Sequence, residues 1–243
     1  MSSTPRIVPR PSSKTRRFWW LSLRPAELLD TFRTYLGLGR TAELGPIDTP
    51  DALAHFLETR ASFIAQTTLY GYLRTRMGMR YPELFDDDSF VEGVNIAKWE
   101  IWLDCLSDLS VHTGARIAQA TPRDALRVAD LMSHVIDEIL SRTGKPHDAG
   151  EGFLEHADRV RERIARTYWL AIGEKEAAFT ESPKSVVQWA PIIDHLKTLD
   201  EEIVINSVRF HWQEVRRAFA QHADAPAILT AWAEPARGPD VNS

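Results

Sequence analysis

The sequence predicts an all-α fold, an antiparallel bundle of about six helices with disordered N- and C-terminal tails, and three observations carry that expectation. Apolar residues recur at three- and four-residue spacing through nearly every long segment. Three Ser/Thr-Pro pairs, Thr49-Pro50, Thr121-Pro122 and Ser182-Pro183, put a capping hydroxyl beside a proline suited to the first helical turn. No segment alternates apolar and polar residues between hairpin turns, and no internal repeat is visible.

The elements follow in order. Residues 1–24 form a basic, Pro- and Ser-rich arm with little to pack. Pro25 opens a helix over 25–37, with Leu28, Leu29, Phe32, Tyr35 and Leu36 on its apolar face. A second helix covers 49–77, with Leu53, Phe56, Leu57 and Ile64 on one stripe; beyond Phe63 a second apolar side (Ala65, Leu69, Leu73) makes its later half central, and Gly78 and Pro82 stop it. Gly71 suggests a close helix crossing. Helices are expected at 89–113 and at 121–143, the latter with Ala125, Ala129, Met132, Val135, Ile136 and Ile139 inward and Gly144 closing it. A fifth spans 151–179 on Phe153, Ala157, Val160, Ile164, Tyr168 and Ala171. A sixth, over 189–221, aligns Ile192, Leu196, Leu199, Ile203 and Phe210. The bundle domain is thus 25–222, and 223–243, with Pro226, Pro235, Gly238 and Pro239, reads as a tail.

At 243 residues, 44% hydrophobic and 26% charged, the chain can bury a core without metal or disulfide staples. The lone Cys105 excludes an intrachain disulfide and fits a reducing cytoplasm. The net charge of −5 is uneven. The arm holds Arg6, Arg10, Lys14, Arg16, Arg17 and Arg24 and no acid, so the remainder carries 23 basic against 34 acidic residues, a net −11. An acidic body argues against nucleic acid as the main ligand.

Catalytic signatures are mostly absent: no G-x-S-x-G, S-x-x-K, Walker loop, G-x-G-x-x-G or H-E-x-x-H, and no pair of E-x-x-H motifs for a di-iron bundle. No cofactor or metal is expected. Four constellations remain. Asp104, Asp108 and His112 stand at i, i+4 and i+8 and continue a stripe of Phe90, Val94, Ala97 and Ile101. They form either a buried carboxylate–imidazole set for metal or proton transfer, or, as favoured, solvated acids on a helix whose buried face rotates to Trp102, Leu106 and Leu109. Asp130 and His134 repeat the spacing but lie opposite their helix's apolar face. Arg60, Thr67, Thr68, Asn206 and Ser207 interrupt apolar stripes, as a satisfied core network or a ligand pocket would.

The third constellation is Leu69 to Phe90, where Tyr70, Tyr72, Arg74, Arg76, Arg80, Tyr81 and Phe85 have the composition of an interface hot spot. Part of its charge suits helix ends, since the arginines close one helix and Glu83, Asp86, Asp87 and Asp88 open the next. From Glu83 to Asp108 eight acids face Lys98 alone, which predicts a negative surface. The fourth, Arg16-Arg17-Phe18-Trp19-Trp20, sets cations beside large rings, as an anionic membrane surface or a partner would require.

The third segment also carries a resemblance. Tyr70-Gly71-Tyr72-Leu73, Arg74-Thr75-Arg76-Met77-Gly78, Asn95 to Trp99 and Cys105-Leu106-Ser107-Asp108-Leu109 resemble an uncharacterised bacterial all-helical family, sometimes labelled "esterase", over about residues 50 to 215. The resemblance implies an all-α fold and supplies no catalytic residue. The expectation is therefore a non-enzymatic accessory or adaptor protein with a protein partner, either free in the cytoplasm or peripheral to the inner face of a membrane. The alternative is an esterase-like hydrolase or a metal-dependent enzyme using Asp104, Asp108 and His112.

Overall fold

The computed structural model describes residues 45–81, 83–173 and 176–233; the arm with Arg16, Arg17, Phe18, Trp19 and Trp20 and the expected helix at 25–37 lie outside them. The described residues form an all-α bundle of seven α-helices: α1 Pro50–Met77, α2 Asp88–Ala120, α3 Ala125–Thr143, α4 Phe153–Ala165, α5 Ser182–Trp189, α6 Asp194–His222 and α7 Ala225–Ala233. None of these helices is long and apolar enough to cross a membrane.

Helix ends obey the local chemistry. The Thr49 hydroxyl accepts from the Ala52 N–H (3.2 Å) with Pro50 in the first turn, and Asp87 accepts from the Ser89 and Phe90 N–H groups to start α2. Gly78 and Gly144, at φ +53° and +58°, end α1 and α3 in the left-handed region that favours glycine.

Helix α2 is the axis of the bundle. It packs against α1, α3, α4 and α5, and every residue from Ala97 to Ala115 is buried. A helix covered all round has no solvated face on which to leave its polar residues. Helices α2 and α4 run the same way: Glu100 meets His156 near one end and Asp108 meets Arg163 about two helical turns along. Helices α1 and α6 run oppositely, with Phe56 against Phe219 (5.5 Å between rings) and Arg76 ion-paired to Asp200.

Five expectations change. Helix α2 continues to Ala120, seven residues beyond 113, running through Gly114, where a β-carbon would collide with the Trp169 ring. The segment 151–179 is helical only to Ala165. Tyr168, placed inward by periodicity, is 84% exposed, while Trp169 is buried against α2, so the pull of that pocket on one indole overrides the helical pattern. Ser182-Pro183 starts a separate short helix, α5, which ends before Pro191, and the next helix begins at Asp194. Residues 225–233, expected as tail, form α7; Ile228 and Leu229 are buried and Asp224 caps the Ala227 N–H. Beside it Ile47 exchanges backbone hydrogen bonds with His222 and Asp224, a lone parallel bridge. Gly71 marks no crossing: it is exposed, and a β-carbon added there would meet nothing within 4 Å.

Helix α6 is also rotated from expectation. Its buried face is Val204, Val208, Trp212, Val215 and Phe219, and the residues expected inward lie opposite: Leu199 is 63%, Ile203 72% and Phe210 68% exposed. Both stripes have helical spacing, so periodicity alone does not choose between them.

Candidate functional site

Asp104, Asp108 and His112 are all buried, against the favoured expectation of solvated acids. The cause is that α2 has no outer face over these turns. The structure also does not bring the three together, because each turns to a different neighbour.

Asp104 belongs to a four-residue chain. His156, from α4, directs Nδ1 to Glu100 Oε2 (2.5 Å) and Nε2 to Asp104 Oδ1 (2.9 Å), and the Ser185 hydroxyl of α5 donates to Asp104 Oδ2 (2.5 Å). Burial opposes charge on the imidazole, but its bonds to Asp104 and Glu100 push its pKa up to about 9. With a carboxylate on each nitrogen the ring is an imidazolium donating twice. No free nitrogen remains to act as a base.

Asp108 is a helix cap supplied from another helix. It is fully buried, and its two oxygens accept from the Thr180, Glu181 and Ser182 N–H groups, the Ser182 hydroxyl (2.6 Å) and Arg163 (2.7 Å). This places a negative charge at the N-terminus of α5, where orphan N–H groups and the dipole favour it. Burial nevertheless raises the carboxyl pKa, against the pull of Arg163 and Ser182. Arg163 also binds the Ser107 hydroxyl and the Ala178 carbonyl, and the Trp212 indole donates to Ser182 Oγ (2.9 Å). Asp108 thus ties α2, α4, α5 and α6 together.

Lys98 completes the ionic axis. Its ammonium reaches Asp148 (2.8 Å) and Asn95 (3.2 Å), and the Trp99 indole donates to the same carboxylate (2.7 Å). Burial lowers the Lys98 pKa, and although burial acts the other way on Asp148, Lys98 and Trp99 hold that carboxyl below its ordinary value.

His112 has a different setting, a groove at the far end of α2. Its ring packs against Phe179 (5.3 Å) and Phe219 (6.4 Å). Burial, with Arg116 and Arg216 nearby, depresses its pKa to about 3, so the imidazole is neutral. The groove encloses about 630 Å³ between His112, Arg116 and Ile117 of α2 and Gln213, Arg216, Arg217 and Phe219 of α6, with Ala225 of α7 at its edge. Arg116 makes one long bond, to the Gly173 carbonyl (3.3 Å), and Arg216 lies over the Phe179 ring (5.8 Å). Among the described residues, the Nε–H groups of both are buried without a hydrogen-bond partner, and none of the three arginines is ion-paired. Three arginines thus line one open, partly apolar concavity, two of them with a buried Nε–H unmatched.

In the third segment Tyr72 is buried, Tyr70, Tyr81 and Phe85 are half-buried, and Arg74, Arg76 and Arg80 are exposed. Tyr72 and Arg76 both bind Asp200 and hold the start of α6 to the end of α1. Tyr81, Phe85 and Phe90 form an edge-to-face series with centroids 5.1 and 5.4 Å apart. Burial raises the Tyr70 hydroxyl pKa. Arg74 and Arg80 stay exposed, Arg80 only 3.8 Å from Glu83. Of the other polar interruptions, Thr68 is satisfied by the Ile64 carbonyl (2.6 Å), whereas Asn206 and Ser207 are exposed. Asp130 and His134 are exposed as expected, with His134 against Trp232.

Sequence reasoning missed Glu100, His156, Ser185, Arg163 and the groove arginines. A faint signal existed for His156, which lies three residues from Phe153 and beside Ala157 on the apolar side of α4. None existed for Arg116 with Arg216, since a hundred residues separate them. Comparison with known proteins finds no matching family model, no matching curated protein and no matching solved structure.

Proposed function

We propose that this chain is a non-enzymatic accessory protein that binds an anionic amphiphile, a phosphate or carboxylate head on an apolar body, in the groove beside His112. One observation carries the reading: among the described residues, Arg116, Arg216 and Arg217 face the groove without a carboxylate to neutralise them, and two of their buried Nε–H groups lack an acceptor. The two Nε–H groups are sealed from solvent, so an oxyanion in the groove would be held by the outer guanidinium N–H groups through charge-assisted hydrogen bonds. Ile117, Phe219 and the flanking alanines give the apolar part somewhere to lie. A neutral His112 adds no positive charge but offers an imidazole that can protonate once an anion arrives. A metal-dependent enzyme built on Asp104, Asp108 and His112 would need the three to converge, and each turns to a different neighbour. The basic arm, with Trp19 and Trp20, suits attachment to an anionic membrane surface, which would also be a source of such heads.

The test is calorimetric titration of the full chain with inorganic phosphate, a soluble short-chain alkyl phosphate and anionic phospholipid vesicles. The alkyl phosphate should bind, and Arg116→Gln and Arg216→Gln should each weaken it by about tenfold, the loss of roughly one charge-assisted bond. Binding confined to vesicles would assign the head to lipid. Failure of all three probes, or binding indifferent to both substitutions, would remove the groove from consideration.

A further inference from the structure

The outer face of α6 has an apolar stripe that the bundle does not use. At 100° per residue, Leu199, Ile203 and Phe210 fall within about 40° of one another, roughly opposite the buried face of Val204, Val208, Trp212, Val215 and Phe219. They span about 16 Å of helix. Such a stripe, at the spacing of a coiled-coil seam, is made to receive another helix.

The charges beside the stripe say which helix. On one flank of the stripe the first half of α6 presents Glu202 and the second half Arg209, both exposed. That order is complementary to its own reverse. A parallel copy would turn this flank toward the opposite flank of its partner, whereas an antiparallel copy sets acid on arginine twice. An anionic lipid surface would be repelled by Glu202 beside Ile203.

We infer that two copies of this chain pair antiparallel through α6, on a twofold axis near residues 204 and 205. The register follows from the spacing. Leu199 of one copy meets Phe210 of the other, and Ile203 packs across the axis beside Asn206 of the second copy. Glu202 and Arg209 lie on the same flank of the stripe, and same-side flanks meet in an antiparallel pair, so each Glu202 comes to Arg209 of the second copy, twice by symmetry. Within one copy Arg209 is 3.6 Å from Glu176 in an ion pair half open to water, so its guanidinium remains reachable. The exposed Asn206 in the seam is the kind of polar interruption that selects a register. Such pairing requires nothing of the groove beside His112.

Sedimentation velocity of the full chain tests it. Wild type should sediment at twice the 27.6 kDa chain mass at micromolar concentration. Ile203→Asp and Phe210→Asp should weaken pairing at least tenfold while leaving helicity unchanged, because both side chains are already in solvent. Glu202→Arg and Arg209→Glu should each weaken it, and the double exchange should restore it. A Leu199→Cys chain mixed with a Phe210→Cys chain should cross-link between copies with a short bismaleimide, more readily than either alone; the native Cys105 is buried. A wild type that stays monomeric, a dimer indifferent to Ile203→Asp and Phe210→Asp, or a charge exchange that fails to restore pairing would overturn the inference.

Discussion

Replacing Asp108 by alanine should be among the most damaging changes available in this molecule. The carboxylate is fully buried and accepts from three backbone N–H groups, one hydroxyl and one guanidinium. Not all of these losses count equally. Arg163 is partly exposed and keeps Ser107 and Ala178, so it rehydrates at small cost. The Ser182 N–H has no such escape, since that residue is 0% exposed. One buried orphan donor costs about 1–3 kcal/mol, the lost cap of α5 about 1, and the uncompensated arginine part of another. The sum, about 2–5 kcal/mol, overlaps what removal of one partner from a buried ion pair costs elsewhere. It is a large share of a typical stability of about 5–15 kcal/mol. Urea unfolding followed by tryptophan emission measures it directly, because Trp212 donates to the same Ser182 hydroxyl. At a slope of about 2 kcal/mol per molar urea, the midpoint should fall by about 1–2.5 M. The exposed Asp130→Ala is the control, with an expected change under about 0.5 kcal/mol. If Asp108→Ala costs less than about 1 kcal/mol, Asp108 does not tie these helices together.

Three further outcomes are expected. His156, with a folded pKa of about 9 against an ordinary 6.5, contributes stability fully below pH 6.5 and loses it as pH rises toward 9, by on the order of 2–3 kcal/mol. His112, depressed to about 3, has the opposite sign: the unfolded chain takes up its proton below pH 6.5 while the folded chain does not, so stability falls as pH drops. Unfolding measured across pH 5 to 9 should therefore peak near 6.5, and His156→Gln should flatten the alkaline limb; an alkaline limb that rises would contradict the double clamp. Gly114→Ala should cost about 1–3 kcal/mol and lower Tm by several degrees, because the new methyl would stand 2.7 Å from Cε3 of Trp169 and 2.9 Å from Cγ of Met132; an unchanged Tm in a thermal melt would show that Trp169 is free to move. Deleting residues 1–20 should leave helicity and Tm nearly unchanged and abolish sedimentation with anionic vesicles, each cationic side chain being worth about 1 kcal/mol at low salt; a full-length chain that ignores such vesicles would refute membrane attachment by the arm.

How much was legible depends on how local the cause was. Thr49-Pro50, Gly78 and Gly144 act on their own backbone, so these helix ends follow from the residues alone. The inward face of α3 also follows, because it has one apolar stripe and one polar side, and on α1 the second apolar side beyond Phe63 (Ala65, Leu69, Leu73) is buried as its residues require. Helix α6 has two stripes, and only the packing of α1 and α5 decides which is buried. The same holds for Tyr168 and Trp169, neighbours of similar character, of which one fills the space above Gly114 and the other faces water.

The candidate site divides along that line. The sequence by itself determined that Asp104, Asp108 and His112 share a helical stripe, since a 3.6-residue period requires it. Only the tertiary structure decided that α2 is surrounded, that His156 and Arg163 arrive from α4 to neutralise the acids, and that Arg116 meets Arg216 across a groove. Those partners are separated by fifty to a hundred residues. A charge buried in a low-dielectric interior is tolerated only by what stands within a few ångströms of it, and distance along the chain says nothing about that neighbour.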